Sequence, residues 1–226
     1  MKKQWCIGRL TGEYLARMEE VLTLYNLPLT EKRPLICLDE LPFQLLGELV
    51  EPLRAKAGAV EKVDYEYVRK GVASVFVALE PLTGQRLVRV YQQRTKADYC
   101  RFAQEVVNHW SQAEQIVLVQ DNLNTHNAGS FYENLPPAEA FKLARKFEFH
   151  YTPKKGSWLN MAELELSALS RICLSRRIPD LKALSRELEA IVEERNELKI
   201  KVKWQFTVEQ ARQKLGRHYE KVKSKN

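Results

Sequence analysis

Two short apolar runs, each closed by an aspartate, constrain this chain more than any other feature. Pro34-Leu35-Ile36-Cys37-Leu38-Asp39 and Gln115-Ile116-Val117-Leu118-Val119-Gln120-Asp121 are too short for buried helices and show no polar alternation. Each therefore reads as a strand covered on both faces. Such strands belong to α/β layouts, in which helices sandwich one central sheet.

The rest of the chain fills in that layout. Glu13–Tyr25 has apolar residues at helical spacing. The stretch 41–71, broken by Pro42, Pro52, Gly58 and Gly71, reads mainly as loop. Val72–Leu79 and Arg86–Tyr91, joined by the turn Pro81-Leu82-Thr83-Gly84, form a predicted hairpin. Thr95 is placed to cap a helix running to Ser111, with Tyr99, Phe102, Val106, Val107 and Trp110 on one face. Short helices are expected at 128–132 and 138–146, a fifth strand at Phe147–Tyr151, and helices over 159–174, 179–197 and 207–219. The first three strands can pair antiparallel. The fourth follows a helix and can return parallel beside the first. The expected fold is α/β, with a mixed five-stranded sheet flanked by helices. Residues 1–30 are expected to form a linker and N-terminal helix, 31–178 a catalytic core, and 179–226 a C-terminal helical extension.

Neighbouring parallel strands would bring Asp39 and Asp121 out at the same sheet edge, where open α/β sheets bind ligands. Two adjacent carboxylates repel, and a divalent cation between them relieves the repulsion. Oxygen donors with few histidines nearby favour Mg²⁺ or Mn²⁺ over zinc. A third acid follows the fifth strand, where Tyr151-Thr152-Pro153-Lys154-Lys155-Gly156-Ser157-Trp158-Leu159-Asn160-Met161-Ala162-Glu163 passes through a Pro/Gly loop into a helix. Glu165 lies about 200° further around that helix, so both glutamates cannot face one ion. With Met161, Leu164, Ala168, Leu169 and Ile172 taken as the packed face, Glu163 is the nearer of the two.

Charge agrees with a polyanionic partner. The chain of 226 residues carries a net charge of +7, and from Lys199 onward nine Lys or Arg stand against two acids. Such a surface attracts nucleic acid, although the tail also reads as a solvated helix end. The four cysteines have neither metal-ligand nor disulfide-framework spacing and read as reduced thiols. The apolar runs are too short to span a bilayer and no signal-peptide pattern opens the chain, so a cytoplasmic protein with no membrane role is expected.

The blocks Leu38-Asp39-Glu40, Val119-Gln120-Asp121-Asn122-Leu123-Asn124-Thr125-His126, and Tyr151-Thr152-Pro153 through Glu163 resemble the three signature blocks of mariner-type transposases, closest to their bacterial insertion-sequence branch. Asp64-Tyr65-Glu66-Tyr67-Val68-Arg69-Lys70-Gly71 and Trp204-Gln205-Phe206-Thr207 add to the resemblance. It implies a ribonuclease H-like fold, two Mg²⁺ ions and an Asp-Asp-Glu triad, which falls on Asp39, Asp121 and Glu163. It also implies double-stranded DNA at transposon ends as substrate, a TA target, a homodimer and a nucleoid-associated bacterial protein. Two departures stand out. Forty-one residues separate Asp121 from Glu163, more than in eukaryotic mariner relatives, as a helical insertion near 137–146 would explain. The helix-turn-helix region that precedes the catalytic domain in the family has no counterpart, and Trp5 would fall near the linker. The chain then corresponds to the catalytic part alone, whether from a split frame, a truncated copy or a fragment, and a separate DNA-binding polypeptide is a possible partner.

Further candidates keep two readings each. Lys154, Lys155 and Trp158 can grip phosphates and stack on a base, or form a solvated loop with Trp158 in the core. Arg69 can approach DNA, or pair with Glu66 or Asp64. His126 can orient a metal ligand or contact a phosphate, or occupy a surface loop without a role. Asn122 and Asn160 are expected beside the acids as supports. The competing functions are a catalytically silent fragment that regulates a full-length transposase, and a structure-directed nuclease on the same fold.

Overall fold

The computed structural model describes residues 10–223 apart from Leu29, Arg54, Glu61 and Val63. Trp5 and Cys6 lie outside the described residues. The chain runs α1 (Gly12–Leu24), β1 (Leu35–Glu48), β2 (Tyr67–Glu80), β3 (Gln85–Tyr91), α2 (Lys96–His109), β4 (Ile116–Gln120), α3 (Gly129–Tyr132), α4 (Pro137–Ala144), β5 (Phe147–Tyr151), α5 (Ala162–Ile172), α6 (Leu181–Glu197) and α7 (Val208–Lys223). The five strands form one sheet in the order β3-β2-β1-β4-β5. β1, β2 and β3 pair antiparallel, while β4 lies parallel to both β1 and β5. This is the mixed five-stranded arrangement expected from the sequence.

Alternation along the strands divides the interior between two faces. Ile36, Leu38, Phe76 and Leu118 point to the face covered by α2, α3 and α4. Leu35, Cys37, Val117 and Val119 point to the opposite face, under α1 and α7. Further along that second face, Val75, Val77 and Val88 pack against Leu166 and Leu169 of α5 and Leu184, Leu188 and Val192 of α6. The last two helices thus share their apolar contacts with the sheet and α1.

Local signals explain where elements begin. Thr95 and Asp98 form a reciprocal capping box at the start of α2. Asp180 caps α6 by accepting from Ala183 N at 2.9 Å. Gly84 closes the β2–β3 turn at φ 81°, and a Cβ there would meet the Ile200 backbone at 2.9 Å, so both conformation and space require glycine.

The stretch 41–71 differs from the loop expected of it. β1 continues to Glu48 and β2 begins at Tyr67, giving a long antiparallel ladder with a register shift between Leu45 and Leu46. β4 pairs β1 only over Leu35–Cys37, so beyond that point β1 has a neighbour on one side only. Pro42 therefore lies at a strand edge, where an imino acid is tolerated. The period-two pattern Leu41, Phe43, Leu45 places these residues against the α5–α6 cluster.

Candidate active site

Strand register brings the two aspartates together. Cys37 pairs with Val119, so two residues further on Asp39 and Asp121 stand abreast where the β1–β4 pairing ends, Asp39 within β1 and Asp121 just past β4. Both share the parity of Cys37 and Val119, which places them on the α1/α5 face of the sheet. Asn160 ties the third element to them. Its Nδ2 donates to Leu38 O at 2.7 Å and to Asp39 Oδ2 at 3.2 Å, while its Oδ1 accepts from Ala162 N at 3.1 Å. One buried side chain thus fixes the start of α5 to β1 beside Asp39 and brings Glu163, a single residue into α5, within electrostatic reach of Asp39.

The electrostatics show that these carboxylates act on one another. Asp39 is 9% exposed. Burial, with the charges of Glu163, Asp121 and Glu40, pushes its pKa up to about 7 against the pull of the Glu40 N–H. The donor set is all oxygen and excess in negative charge, which fits a hard divalent cation. Among the described residues no three such side chains are already gathered into a ready metal cage.

Asp121 is held differently. Its Oδ1 lies 2.5 Å from His126 Nδ1 and accepts from Leu123 N at 3.3 Å. Burial alone would raise the Asp121 carboxyl, yet the His126 contact holds it below its ordinary value. His126 is 1% exposed. Its Nε2 sits 2.8 Å from Glu40 Oε2, an ion pair whose N–H is not aimed along a hydrogen bond. Burial would lower the imidazole pKa, but Asp121 and Glu40 outweigh it and raise it to about 9. The backbone of His126 is fixed as well: Gln120 Nε2 donates to its carbonyl at 3.0 Å, and Tyr99 OH donates to Gln120 Oε1 at 3.0 Å. His126 is therefore not a surface-loop residue.

Glu163 is brought to the cluster, but the helix phase differs from the one the sequence suggested. The buried stripe of α5 is Ala162, Glu165, Leu166 and Leu169, whereas Leu164 and Ile172 are half exposed. Glu165 is the glutamate on the packed face. It bonds Arg195 Nε at 2.8 Å and Nη2 at 2.9 Å, and lies 3.1 Å from Arg86 Nε. Counting only apolar residues as packed hid this pair, because the partners Arg86 and Arg195 are remote in sequence.

The remaining candidates separate. Lys154 and Lys155 lie exposed in the loop after β5, and Lys155 adopts φ 64°. With Arg17, Tyr14, Thr152 and Asn122 they line a cavity of about 460 Å³ beside the Asp121 strand end. Trp158 is neither a free platform nor a core residue. It is 45% exposed, donates to Tyr14 OH at 3.2 Å and stacks on Trp204 at 6.4 Å. Arg69 is exposed opposite Leu46, eight residues along β2 from the Val77 that faces Asp39, or about 25 Å at strand rise, so the fold does not bring it to the acids. The residues missed from sequence are Glu40, Gln120, Tyr99, Arg17 and Tyr14. For Glu40 the adjacent acid pair Asp39-Glu40 on a strand was the available signal, since neighbours on a strand serve opposite faces.

A mixed five-stranded sheet with acids where its parallel β1–β4 pairing ends, and a helix bringing in a further acid, is the arrangement of the ribonuclease H-like fold class. Within that class, residues 34–185 match the family described as DDE superfamily endonuclease, more than half of the chain. The chain belongs to this family. No curated protein matches it. Among solved structures it is similar to the Mos1 mariner paired end complex with Mn (TM-score 0.57, 14% identity), the Mos1 paired end complex with Mg (0.52, 12%) and the Mos1 strand transfer complex (0.52, 13%). Each match covers 99% of this chain and 66% of the other, so the chain spans just under two thirds of the length of these relatives. At these identities the likeness shows the fold: a ribonuclease H-like domain resembling the Mos1 transposase catalytic domain.

Proposed function

We propose that this chain is the catalytic domain of a bacterial insertion-sequence transposase, cleaving DNA at element ends and joining the freed 3′ ends to target DNA. The observation that supports the reading is that Asp39 and Asp121 stand abreast by strand register, and that burial and then the charges of Glu163 and Asp121 raise the Asp39 pKa. These three side chains would hold two Mg²⁺ or Mn²⁺ ions. Ions bound there supply activation of the attacking oxygen and stabilisation of the leaving one in an in-line displacement.

The chain's own residues do the positioning. Asn160 holds the Asp39 carboxylate and His126 the Asp121 carboxylate. Lys154, Lys155 and Arg17 present cations around the adjoining cavity, where they would grip backbone phosphates. Cleavage by water leaves a 3′-hydroxyl, and that hydroxyl then attacks a target phosphodiester at a TA step, exchanging one phosphodiester for another. The Mos1 structures in paired-end and strand-transfer complexes support this substrate class.

A homodimer follows from the need to join two ends, and exposed Leu49, Val50, Leu53, Val60 and Tyr65 between β1 and β2 offer apolar surface for a second copy. A separate helix-turn-helix polypeptide would select the end sequence. A cytoplasmic, nucleoid-associated location fits this chemistry, and among the described residues no helix is long and apolar enough to cross a membrane. The test supplies the chain, with a DNA-binding partner if one is encoded beside it, with end-bearing DNA and Mg²⁺ or Mn²⁺. Metal-dependent nicking that disappears in Asp121→Asn supports the reading. Equal cutting by wild type and Asp121→Asn overturns it.

A further inference from the structure

Asp39 and Glu40 are consecutive acids on β1, and the strand sends them to opposite faces. Asp39 turns toward Asp121 and α5. Glu40 turns to the face of Phe76, its partner residue on β2, which is covered by α2. There its side chain is only 3% exposed, an expensive place for a carboxylate unless charged partners meet it. Two do. Arg94 Nη1 stands 3.3 Å from Glu40 Oε1, and His126 Nε2 stands 2.8 Å from Glu40 Oε2. The other nitrogen of the same imidazole reaches Asp121 Oδ1 at 2.5 Å. The Asp121 contact is a hydrogen bond, whereas the Glu40 contact is a close charge contact without hydrogen-bond alignment.

We propose that Glu40 is a positioning residue for Asp121, acting through His126 to hold the Asp121 carboxylate turned toward Asp39 and Glu163. This rests on the reading of Asp121 as a metal ligand. Glu40 itself is not counted as a further ligand, because its two oxygens are taken up by Arg94 and His126. Its part is to hold the imidazole in place, so that Asp121 keeps one oxygen tied down and the other free for an ion. The 40% exposure of the Asp121 side chain makes such a tether consequential, since nothing comparable to the Asn160 bond on Asp39 holds Asp121 from the α5 side. Partners at this remove typically set metal affinity by about 10- to 100-fold.

Because the Glu40–His126 contact is ionic rather than an aligned hydrogen bond, the isosteric neutral variant is the informative one. Glu40→Gln, His126→Gln and the double variant are compared with wild type by thermal melting, by Mn²⁺ binding followed by electron paramagnetic resonance, and by the Mn²⁺ concentration for half-maximal cleavage. Glu40→Gln is expected to raise both Mn²⁺ constants about tenfold or more, with cleavage largely recovered at saturating Mn²⁺. The double variant is expected to bind Mn²⁺ no more weakly than His126→Gln alone, because the two act in one chain. A Glu40→Gln protein that melts lower yet binds Mn²⁺ as wild type does overturns the proposal, as does full additivity in the double variant. If Glu40→Gln fails to fold, His126→Gln decides: an unchanged Mn²⁺ constant overturns the tether. A wild type that binds no Mn²⁺ overturns this proposal together with the functional reading beneath it, whereas wild-type binding with indifferent variants overturns the tether alone.

Discussion

Helix α5 takes part in two charged clusters, and they are built on opposite terms. Glu165 is buried between Arg86 and Arg195, which outnumber it in charge. Glu163, two residues earlier, instead acts by its charge on Asp39, as Asp121 does. The first cluster is complete and links α5 to β3 and α6. In the second, burial first and the neighbouring acid charges after it push the Asp39 pKa up to about 7. A compensated buried acid is part of the framework. An uncompensated group of them implies a cation.

Neutralising either glutamate should separate these roles. Glu163→Gln is expected to lower metal-dependent cleavage about a thousandfold, since several kcal/mol of charge stabilisation at about 1.4 kcal/mol per tenfold is at stake. Its unfolding in denaturant should stay close to wild type. Glu165→Gln should do the reverse to stability, costing about 3 kcal/mol in urea unfolding, because it leaves the Arg86 charge buried without its counter-charge. Cleavage that survives Glu163→Gln, or a fold indifferent to Glu165→Gln, would break the contrast.

Asp39 sharpens it through pH. A carboxyl whose folded pKa is raised above its unfolded value contributes stability below about pH 4, and that contribution is lost as pH rises through about 7. In metal-free protein, Asp39→Asn is therefore expected to be more stable than wild type at pH 8 by about 2 kcal/mol, with the gap closing toward pH 4. Mn²⁺ should raise the melting temperature of wild type at pH 8 and leave that of the variant nearly unchanged. A variant less stable at pH 8 would place Asp39 in the framework class with Glu165.

Much of this was legible in the sequence. The paired segments that lead to Asp39 and Asp121 show directly as apolar runs, because a doubly covered strand has little freedom in composition, although β1 runs on past Asp39 to Glu48. The antiparallel first three strands and the parallel return of the fourth beside the first were legible from the hairpin turn and the helix between, whereas the place of β5 was not. Glu163, the glutamate expected at the cluster, acts by its charge on Asp39, but the helix phase behind that choice was not observed: Leu164 and Ile172 lie outward, and Glu165 occupies the packed face. Composition cannot reveal a buried glutamate whose arginine partners stand 79 residues before and 30 after it. The outer half of β1 was hidden by Pro42, which an edge position permits. Glu40 was hidden by its neighbour, since one acid of an adjacent pair draws attention from the other.

The smallest expected effects concern the loop before Glu163. Lys154→Ala and Lys155→Ala should each weaken DNA binding several-fold irrespective of sequence and lower the slope of log affinity against log salt by about one. Arg69→Ala, at the far end of β2, should leave cleavage at the acid cluster unaltered. A salt slope insensitive to both lysines would remove the β5 loop from the DNA surface.

The most direct measurement is anomalous diffraction from crystals grown with Mn²⁺ and a short DNA end. The expected result is an anomalous peak between the Asp39 and Asp121 carboxylates, with oxygens at about 2 Å and Glu163 turned toward the same group of ions. Mn²⁺ bound elsewhere on the chain, with these three carboxylates left apart, would contradict the account.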